Sequence, residues 1–206
     1  MDYDLAGILV IGGESGSASR SVEFWSAADP ELGSCVLDDF PRGARNGPTA
    51  NFVSGRLVAC YNFACHIYQD EGSWRPLQNT TVSRVHHSSV STEEAVLLIG
   101  GDYSNSTEWI PLDGFSVQLG PFTVQHGDRH CTIQLSDNVI VVTGGWDTLD
   151  VVTQYHLAEG TETPLTGLGQ PRDDHACGVY QDADNQQVSL KVFVQNLLTM
   201  LVSSEG

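Results

Sequence analysis

The side chains in this chain that are best suited to chemistry are histidines. Three of them stand a few residues after an arginine in similar polar clusters, and successive clusters are separated by about 44 residues. The three pairs are Arg84 and His87, Arg129 and His130, and Arg172 and His175. If the fold brings these three imidazoles close together, they could bind a metal ion. We instead expect a structural role, in which these Arg and His side chains link neighbouring sheets through hydrogen bonds to the backbone.

Other signatures of an enzyme are weak. His126 and His130 are four residues apart, which would make a metal pair on a helix, but a Gly-Asp-Arg loop separates them here. The segment Gly12 to Gly16 resembles a phosphate-binding loop, but no helix is predicted after it to hold a phosphate at its N-terminus. No serine lies in a Gly-x-Ser-x-Gly elbow. The sequence therefore predicts no catalytic residue, no metal site and no cofactor.

Glycine pairs organise the chain. Each closes a short apolar run, and the pairs are Gly12-Gly13, Gly100-Gly101 and Gly144-Gly145. The last two are 44 residues apart and the first two are 88 apart, which is twice that stride. A degraded copy, residues 55 to 61, occupies the midpoint and has Cys60-Tyr61 in place of the glycines. A repeat of this length that contains a strand ending in glycine is typical of one propeller blade.

The remaining segments of each repeat read as β-strands. An alternating stretch rich in aromatic and β-branched residues follows each glycine pair, and a fainter strand follows that. The third strands are predicted at 21–25, 64–68, 107–110 and 151–155, and the fourth strands at 34–37, 74–77, 115–119 and 161–165. No stretch shows a helical period bounded by caps. The fold class is therefore predicted to be all-β.

The order of these features resembles the kelch repeat, a β-propeller family. Gly72-Ser73-Trp74 is similar to the Gly and Trp that close a kelch unit, and Tyr155 is similar to its tyrosine. The chain is closer to kelch-type propellers of secreted or cell-surface animal proteins, through Cys35, the pair Cys60 and Cys65, and the strand start His175 to Gly178. The resemblance covers roughly residues 5 to 188 and implies a kelch-type propeller.

The repeats predict one propeller domain over residues 1–194. Its four-stranded antiparallel blades fall roughly at 5–45, 46–83, 84–126 and 127–170, with the start of a further blade at 171–194. Propellers of known type have about 4 to 8 blades, so these four and a part predict an incomplete, open propeller. Residues 195–206 form an atypical C-terminal tail, interpreted as a substitute strand, a short helix or the product of a truncated gene model.

Five cysteines allow two disulfides and leave one thiol. Cys131 and Cys177 occupy equivalent positions one repeat apart, directly after the Arg and His clusters. Equivalent first strands of adjacent blades lie near the axis, so a bridge between these two is a candidate if their α-carbons approach within about 7 Å. Cys35, Cys60 and Cys65 offer a second bridge whose pairing stays open.

Charge argues against nucleic acid as a partner. The net charge is −17 with only nine Lys and Arg among 206 residues, and a protein that neutralises phosphates needs a basic stripe. The acidic pairs, among them Asp173-Asp174, are interpreted as solvated loops or, alternatively, as a negative rim that selects a basic partner.

Localisation is predicted from several weaker signals. Asn79 and Asn105 begin glycosylation sequons in predicted loops. Together with the cysteines and the kelch resemblance they favour an extracellular or cell-surface protein, with the cytoplasm as the alternative. The acidic start of the chain does not have the form of a signal peptide, and no membrane insertion is predicted.

The function predicted for this chain is a non-enzymatic binding module. Stacked blades would hold the loops after each glycine pair and between blades as a surface for a protein or glycan ligand. The expected loop anchors are Trp146, Tyr103 and Phe63, because aromatic side chains dominate interface energetics. The alternatives are a nonfunctional truncated product or a propeller enzyme such as a metal-dependent oxidase. Some kelch-type propellers are copper radical oxidases, but no supporting set of Tyr, Cys and His stands out beyond the repeat positions.

Overall fold

The computed structural model describes residues 7–12, 19–26, 34–41, 43, 47–102, 104–181 and 188–193. Every regular element in these ranges is a β-strand, which confirms the predicted all-β class. No helix among these residues is long and apolar enough to cross a membrane. The tail at 195–206 lies outside the described residues.

The strands of the described ranges form five antiparallel sheets, in each of which strands adjacent in sequence pair with one another. The first sheet contains β1 (Gly7–Ile11), β2 (Val22–Ser26) and β3 (Ser34–Leu37), and the second contains β4 (Thr49–Val53), β5 (Arg56–Tyr68) and β6 (Trp74–Arg84). The third contains β7 (Ser88–Ser91), β8 (Ala95–Ile99), β9 (Ser106–Pro111) and β10 (Gln118–Thr123). The fourth contains β11 (Cys131–Ser136), β12 (Val139–Thr143), β13 (Val152–His156) and β14 (Thr161–Pro164), and the fifth contains β15 (Ala176–Gln181) and β16 (Val188–Phe193).

The apolar core is divided among the spaces between successive sheets. Val22 and Phe40 pack on Ala59 between the first and second sheets. Val58 and Ile67 of the second sheet join a cluster with residues of the third, and a further cluster joins the third sheet to the fourth. The members of that last cluster are Val90, Leu97, Ile99, Val124, Ile140, Val142, Tyr155 and Leu157. Each of the first four sheets thus buries apolar side chains against a neighbouring sheet.

The first strands of the second to fifth sheets lie side by side in chain order, as β4, β7, β11 and β15. Asn51 Nδ2 donates to Ser89 Oγ at 2.6 Å between β4 and β7, and the Ser88 hydroxyl lies 2.5 Å from that of Thr132 between β7 and β11. Successive sheets that stack side by side with their first strands adjacent form a propeller-like arc.

Two disulfides connect these elements. Cys131 and Cys177 join β11 to β15 with their α-carbons 6.0 Å apart, and they are the pair predicted from equivalent repeat positions. Cys60 and Cys65 close the second bridge across the turn in β5 with α-carbons 4.1 Å apart, while Cys35 is free and exposed. Disulfides are typical of proteins that fold in an oxidising compartment.

The second repeat departs from the predicted strands. Element β5 contains both predicted strands, since residues 56–60 pair with β4 and residues between 62 and 68 pair with β6. The Cys60–Cys65 disulfide lies at the reversal between them, where the other repeats turn on glycine. Strand β6 extends to Arg84, so the prediction that Asn79 lies in a loop is wrong: it lies in this strand. In the third repeat the fourth strand begins at Gln118 rather than at Phe115.

Candidate functional site

Two kinds of loop meet at one end of the sheets. The loops after the second strands and the loops between sheets include residues 85–87, 100–102, 124–130, 144–151 and 165–175, and we call this end the loop face. Backbone hydrogen bonds tie the two kinds together: Asp102 N donates to Val85 O at 2.9 Å, and Trp146 N donates to Asp128 O at 3.1 Å. These loops are therefore held by the sheet frame and by one another.

Three equivalent residues of the inter-sheet loops have left-handed backbone. His86, Arg129 and Asp174 have φ values of 53°, 55° and 47°, a region that costs a residue with a Cβ about 1–2 kcal/mol. Arg129 N donates to His86 O and Asp174 N donates to Arg129 O, each at 3.0 Å. These bonds fix a row of three different side chains at the loop face. Strained backbone of this kind clusters at functional sites in proteins.

His86 stands next to two carboxylates from other loops. Its Nδ1 lies 2.6 Å from Asp102 Oδ1, and one ligand atom each of His86, Asp102 and Asp128 lies within 4.8 Å of the others. We call these three residues the His-Asp cluster. Partial burial raises the pKa of Asp128, and the neighbouring carboxylate of Asp102 acts in the same direction, while Arg129 opposes both.

Arg129 connects this cluster to an exposed tryptophan. Its guanidinium carbon lies 4.8 Å from the ring centroid of Trp146, a cation–π arrangement. The same side chain contacts Asp128 Oδ2 at 3.3 Å and Asp174 Oδ2 at 3.2 Å, with Asp173 at 3.9 Å. Trp146 is nevertheless 58% exposed. A large aromatic side chain is thus presented to solvent on a support of fixed charges.

The three repeat histidines lie below this surface and are buried. His87 Nε2 forms a hydrogen bond with the Thr49 hydroxyl at 2.9 Å, and His130 Nε2 forms one with the Ser88 hydroxyl at 2.7 Å, so each links its sheet to the preceding one. His175 Nε2 lies 2.8 Å from the Thr143 hydroxyl of the fourth sheet. Each of these hydroxyls belongs to the sheet that precedes the histidine, so each histidine links two successive sheets. We call such a contact between two successive sheets a joint.

Burial also determines the charge of these histidines. It lowers the pKa of His87 to about 3, with Arg84 acting in the same direction, and lowers the pKa of His130 to about 3, with neighbouring histidines contributing. Burial lowers the pKa of His175 as well. All three imidazoles are therefore neutral near pH 7.

The glycine pairs provide the space that these histidines occupy. A Cβ on Gly100 would lie 2.7 Å from His130 Cε1, and one on Gly144 would lie 2.7 Å from His175 Cε1. The second glycine of each pair forms a backbone hydrogen bond with the next inter-sheet loop. Gly101 N donates to Gly127 O, and Gly145 N donates to Arg172 O. Gly12 has the same left-handed φ, at 69°, while Gly13 lies outside the described residues.

The three predicted arginines do not share one position. Arg84 is fully buried, pairs with Glu108 Oε2 at 3.0 Å and donates to the carbonyls of Gly100 and Ser106. Arg129 lies on the loop face, and Arg172 Nη2 reaches Gln170 Oε1 at 3.5 Å. The expected backbone hydrogen bonds to a neighbouring sheet are present at Arg84, whereas the described side-chain contacts of Arg129 and Arg172 are to other side chains.

The remaining predicted site residues lie apart from Trp146. Phe63 is 44% exposed at the loop-face end of the second sheet, two sheets before that of Trp146, and Tyr103 lies outside the described residues. Asn79 is exposed on β6 and Asn105 is exposed in the loop before β9. The sequence did not single out His86, Asp102 or Asp128, and Asp174 stood out only as part of an acidic pair. A further signal for His86 and Asp174 is their position directly before the repeat histidine.

The chain matches no family model and no curated protein. Among solved structures it is similar in fold to YjhT, with a TM-score of 0.67 and 12% sequence identity. The alignment covers 85% of this chain and 69% of YjhT. At this identity the likeness concerns the fold alone.

Proposed function

We propose that this chain is a kelch-type β-propeller unit that acts as a non-enzymatic binding module, and that a protein ligand binds its loop face. The observation that carries the proposal is Trp146, which is exposed over 58% of its surface while its backbone and ring are both held in place. Tryptophan and arginine are the residue types most enriched among binding hot spots.

A rigid support for Trp146 lowers the entropy lost on binding. Trp146 N is bonded to Asp128 O, and the ring is stacked by Arg129, whose guanidinium is itself shared between Asp128 and Asp174. Ordering a mobile side chain at an interface costs about 0.5–1.5 kcal/mol, and a preorganised anchor avoids part of that cost.

The negative charge of the loop face favours positively charged ligands. Asp128, Asp173 and Asp174 contact Arg129, and Asp102 lies beside Asp128, on a chain whose net charge is −17. A negatively charged face speeds encounter with positively charged partners and disfavours negative ones. We therefore assign the ligand to proteins that present Lys or Arg side chains around an apolar contact.

The proposed setting is extracellular or at the cell surface. Two disulfides and exposed side chains at Asn79 and Asn105 support it. Expression through a secretory pathway, followed by glycosidase treatment, tests this point. Loss of mass in the wild type but not in an Asn79→Gln, Asn105→Gln variant supports the setting, and an unmodified secreted chain argues against glycosylation.

The binding proposal is tested by affinity capture from extracellular fluid at low and high salt, comparing wild type with Trp146→Ala. Phe115→Ala is the matched control, since Phe115 is 67% exposed but lies between β9 and β10, at the end opposite the loop face. We expect basic proteins retained by the wild type and by Phe115→Ala to be lost with Trp146→Ala. An identical set for all three proteins contradicts the proposal, and retention only of glycan on an array would reassign the ligand class.

A further inference from the structure

The His-Asp cluster consists of donors from three separate segments. His86 comes from the loop between β6 and β7, Asp102 from the loop after β8, and Asp128 from the loop between β10 and β11. The set combines an imidazole nitrogen with two carboxylates, and its ligand atoms lie within 4.8 Å of one another. Convergence from three loops brings one nitrogen and two oxygen donors to a single point.

The backbone of each donor is fixed before any ion binds. His86 O accepts from Arg129 N, Asp102 N donates to Val85 O, and Asp128 O accepts from Trp146 N. The side chains themselves remain accessible, with exposed fractions of 19% for His86, 24% for Asp102 and 17% for Asp128. The site is therefore preorganised at the backbone and open to ions from solvent.

The cluster carries more negative charge than its neighbours balance. Asp102 and Asp128 lie close to one another, and Asp128 also contacts Arg129. Arg129 is itself divided among three carboxylates, since it also contacts Asp173 and Asp174. Two carboxylates held this close repel each other unless a cation lies between them.

We propose that His86, Asp102 and Asp128 bind a divalent transition-metal ion of the Zn²⁺ class, through the imidazole nitrogen and one oxygen of each carboxylate. A nitrogen donor beside two oxygens favours Zn²⁺ over Ca²⁺ and Mg²⁺, which prefer all-oxygen sites. Zn²⁺ bonds of about 2.0–2.2 Å in a tetrahedral site place the ligand atoms roughly 3.4 Å apart. His86 Nδ1 and Asp102 Oδ1, at 2.6 Å, must therefore separate, and the longer distances, which reach up to 4.8 Å, must shorten, by rotation of these accessible side chains. The remaining coordination positions face solvent.

Arg129 has a supporting part in this site. Its Nε lies 3.3 Å from Asp128 Oδ2, an ion-pair contact outside the proposed ligands that favours one orientation of this carboxylate. A bound ion would thus connect three loops to the residue that stacks on Trp146. The site does not depend on the proposed protein ligand, because its donors all belong to this chain.

The test is calorimetric titration of the purified, chelator-treated full chain with Zn²⁺, and separately with Ca²⁺ and Mg²⁺. Wild type is compared with His86→Gln, Asp102→Asn and Asp128→Asn. The matched controls are Asp113→Asn and His156→Gln, which change the same residue types at the opposite end of the sheets. Thermal unfolding without metal establishes that each variant is folded.

We expect one equivalent of Zn²⁺ to bind the wild type and both controls, with affinity reduced at least tenfold in each cluster variant. Weak binding of Ca²⁺ and Mg²⁺ is expected. The proposal is overturned if Zn²⁺ does not bind, if binding survives in all three cluster variants, or if Ca²⁺ binds equally well with and without His86. A failure of this kind leaves the affinity-capture result unaffected, so the two proposals are judged separately.

Discussion

Adjacent residues of the same repeat have opposite roles in this protein. The buried position holds His87, His130 and His175, whereas the position directly before it holds His86, Arg129 and Asp174 at the loop face. The first position repeats one residue type because each imidazole meets a hydroxyl of the preceding sheet, and a glycine makes room for His130 and for His175. The second position shares only its backbone conformation. A repeat fold can therefore keep its joints uniform while its exposed row diverges in chemistry.

The largest loss of stability is expected from Gly144→Ala, which tests the packing of His175 at its joint. The new Cβ would meet His175 Cε1 at 2.7 Å in a left-handed backbone with φ of 59°. We expect the free energy of unfolding to fall by roughly 4 kcal/mol, from backbone strain and overpacking together. Gly114→Ala is the control, because Gly114 also has positive φ but open space around it, and about 1 kcal/mol is expected there. Equal losses in urea unfolding would contradict the assigned joint.

The covalent joint is tested by replacing Cys131 and Cys177 together with serine. The bridge closes 46 residues of chain and connects two neighbouring first strands. Its loss is expected to lower the unfolding free energy by roughly 3 kcal/mol, chiefly by freeing the unfolded chain. Cys35→Ser, at the free and exposed cysteine, should change little. Thermal melts in which both variants match the wild type would count against the bridge.

The buried histidines predict an acid-sensitive fold. The pKa values of His87 and His130, both about 3, lie far below the ordinary 6.5, so below about pH 6.5 the unfolded chain takes up protons that the folded chain does not. Stability is thus fully present above pH 6.5 and falls toward pH 3, by roughly 1 kcal/mol per pH unit for each histidine. Urea unfolding across this range measures the slope. It should be shallower in His130→Gln, and an unchanged slope in that variant would contradict the assignment.

Trp146→Ala is expected to have the smallest effect on stability. The side chain is largely exposed, and its described contact is the stack with Arg129. The free energy of unfolding should change by no more than about 0.5 kcal/mol. A loss of several kcal/mol in the same unfolding assay would show that Trp146 belongs to the frame rather than to a binding surface.

Much of the frame could be predicted from the sequence because it follows from period and strand pattern. The runs before Gly100 and Gly144 became β8 and β12, and the equivalent cysteines 131 and 177 were paired. The second repeat was harder, since a disulfide there replaces the turn chemistry of glycine. The contacts of the arginines could not be predicted from spacing, since Arg84 and Arg172 each precede their histidine by three residues yet have different partners.

The loop face could be predicted only in outline. Trp146 could be recognised as an aromatic residue in a loop. Its stack with Arg129 depends on the left-handed backbone of Arg129, which no local sequence motif predicts. The His-Asp cluster joins residues from three loops, and the contacts among them arise from the packing of successive sheets. Sequence spacing within any one loop does not carry that information.

The most direct measurement compares His130→Gln with Arg129→Gln, two adjacent positions changed to the same residue. The account predicts that His130→Gln loses about 2 kcal/mol of stability through its buried hydrogen bond and packing while still retaining the captured ligand at low temperature. Arg129→Gln should keep its stability within about 0.5 kcal/mol and lose most of the retained ligand. The reverse pattern, or equal effects of both variants on both properties, would contradict the division between joint and loop face.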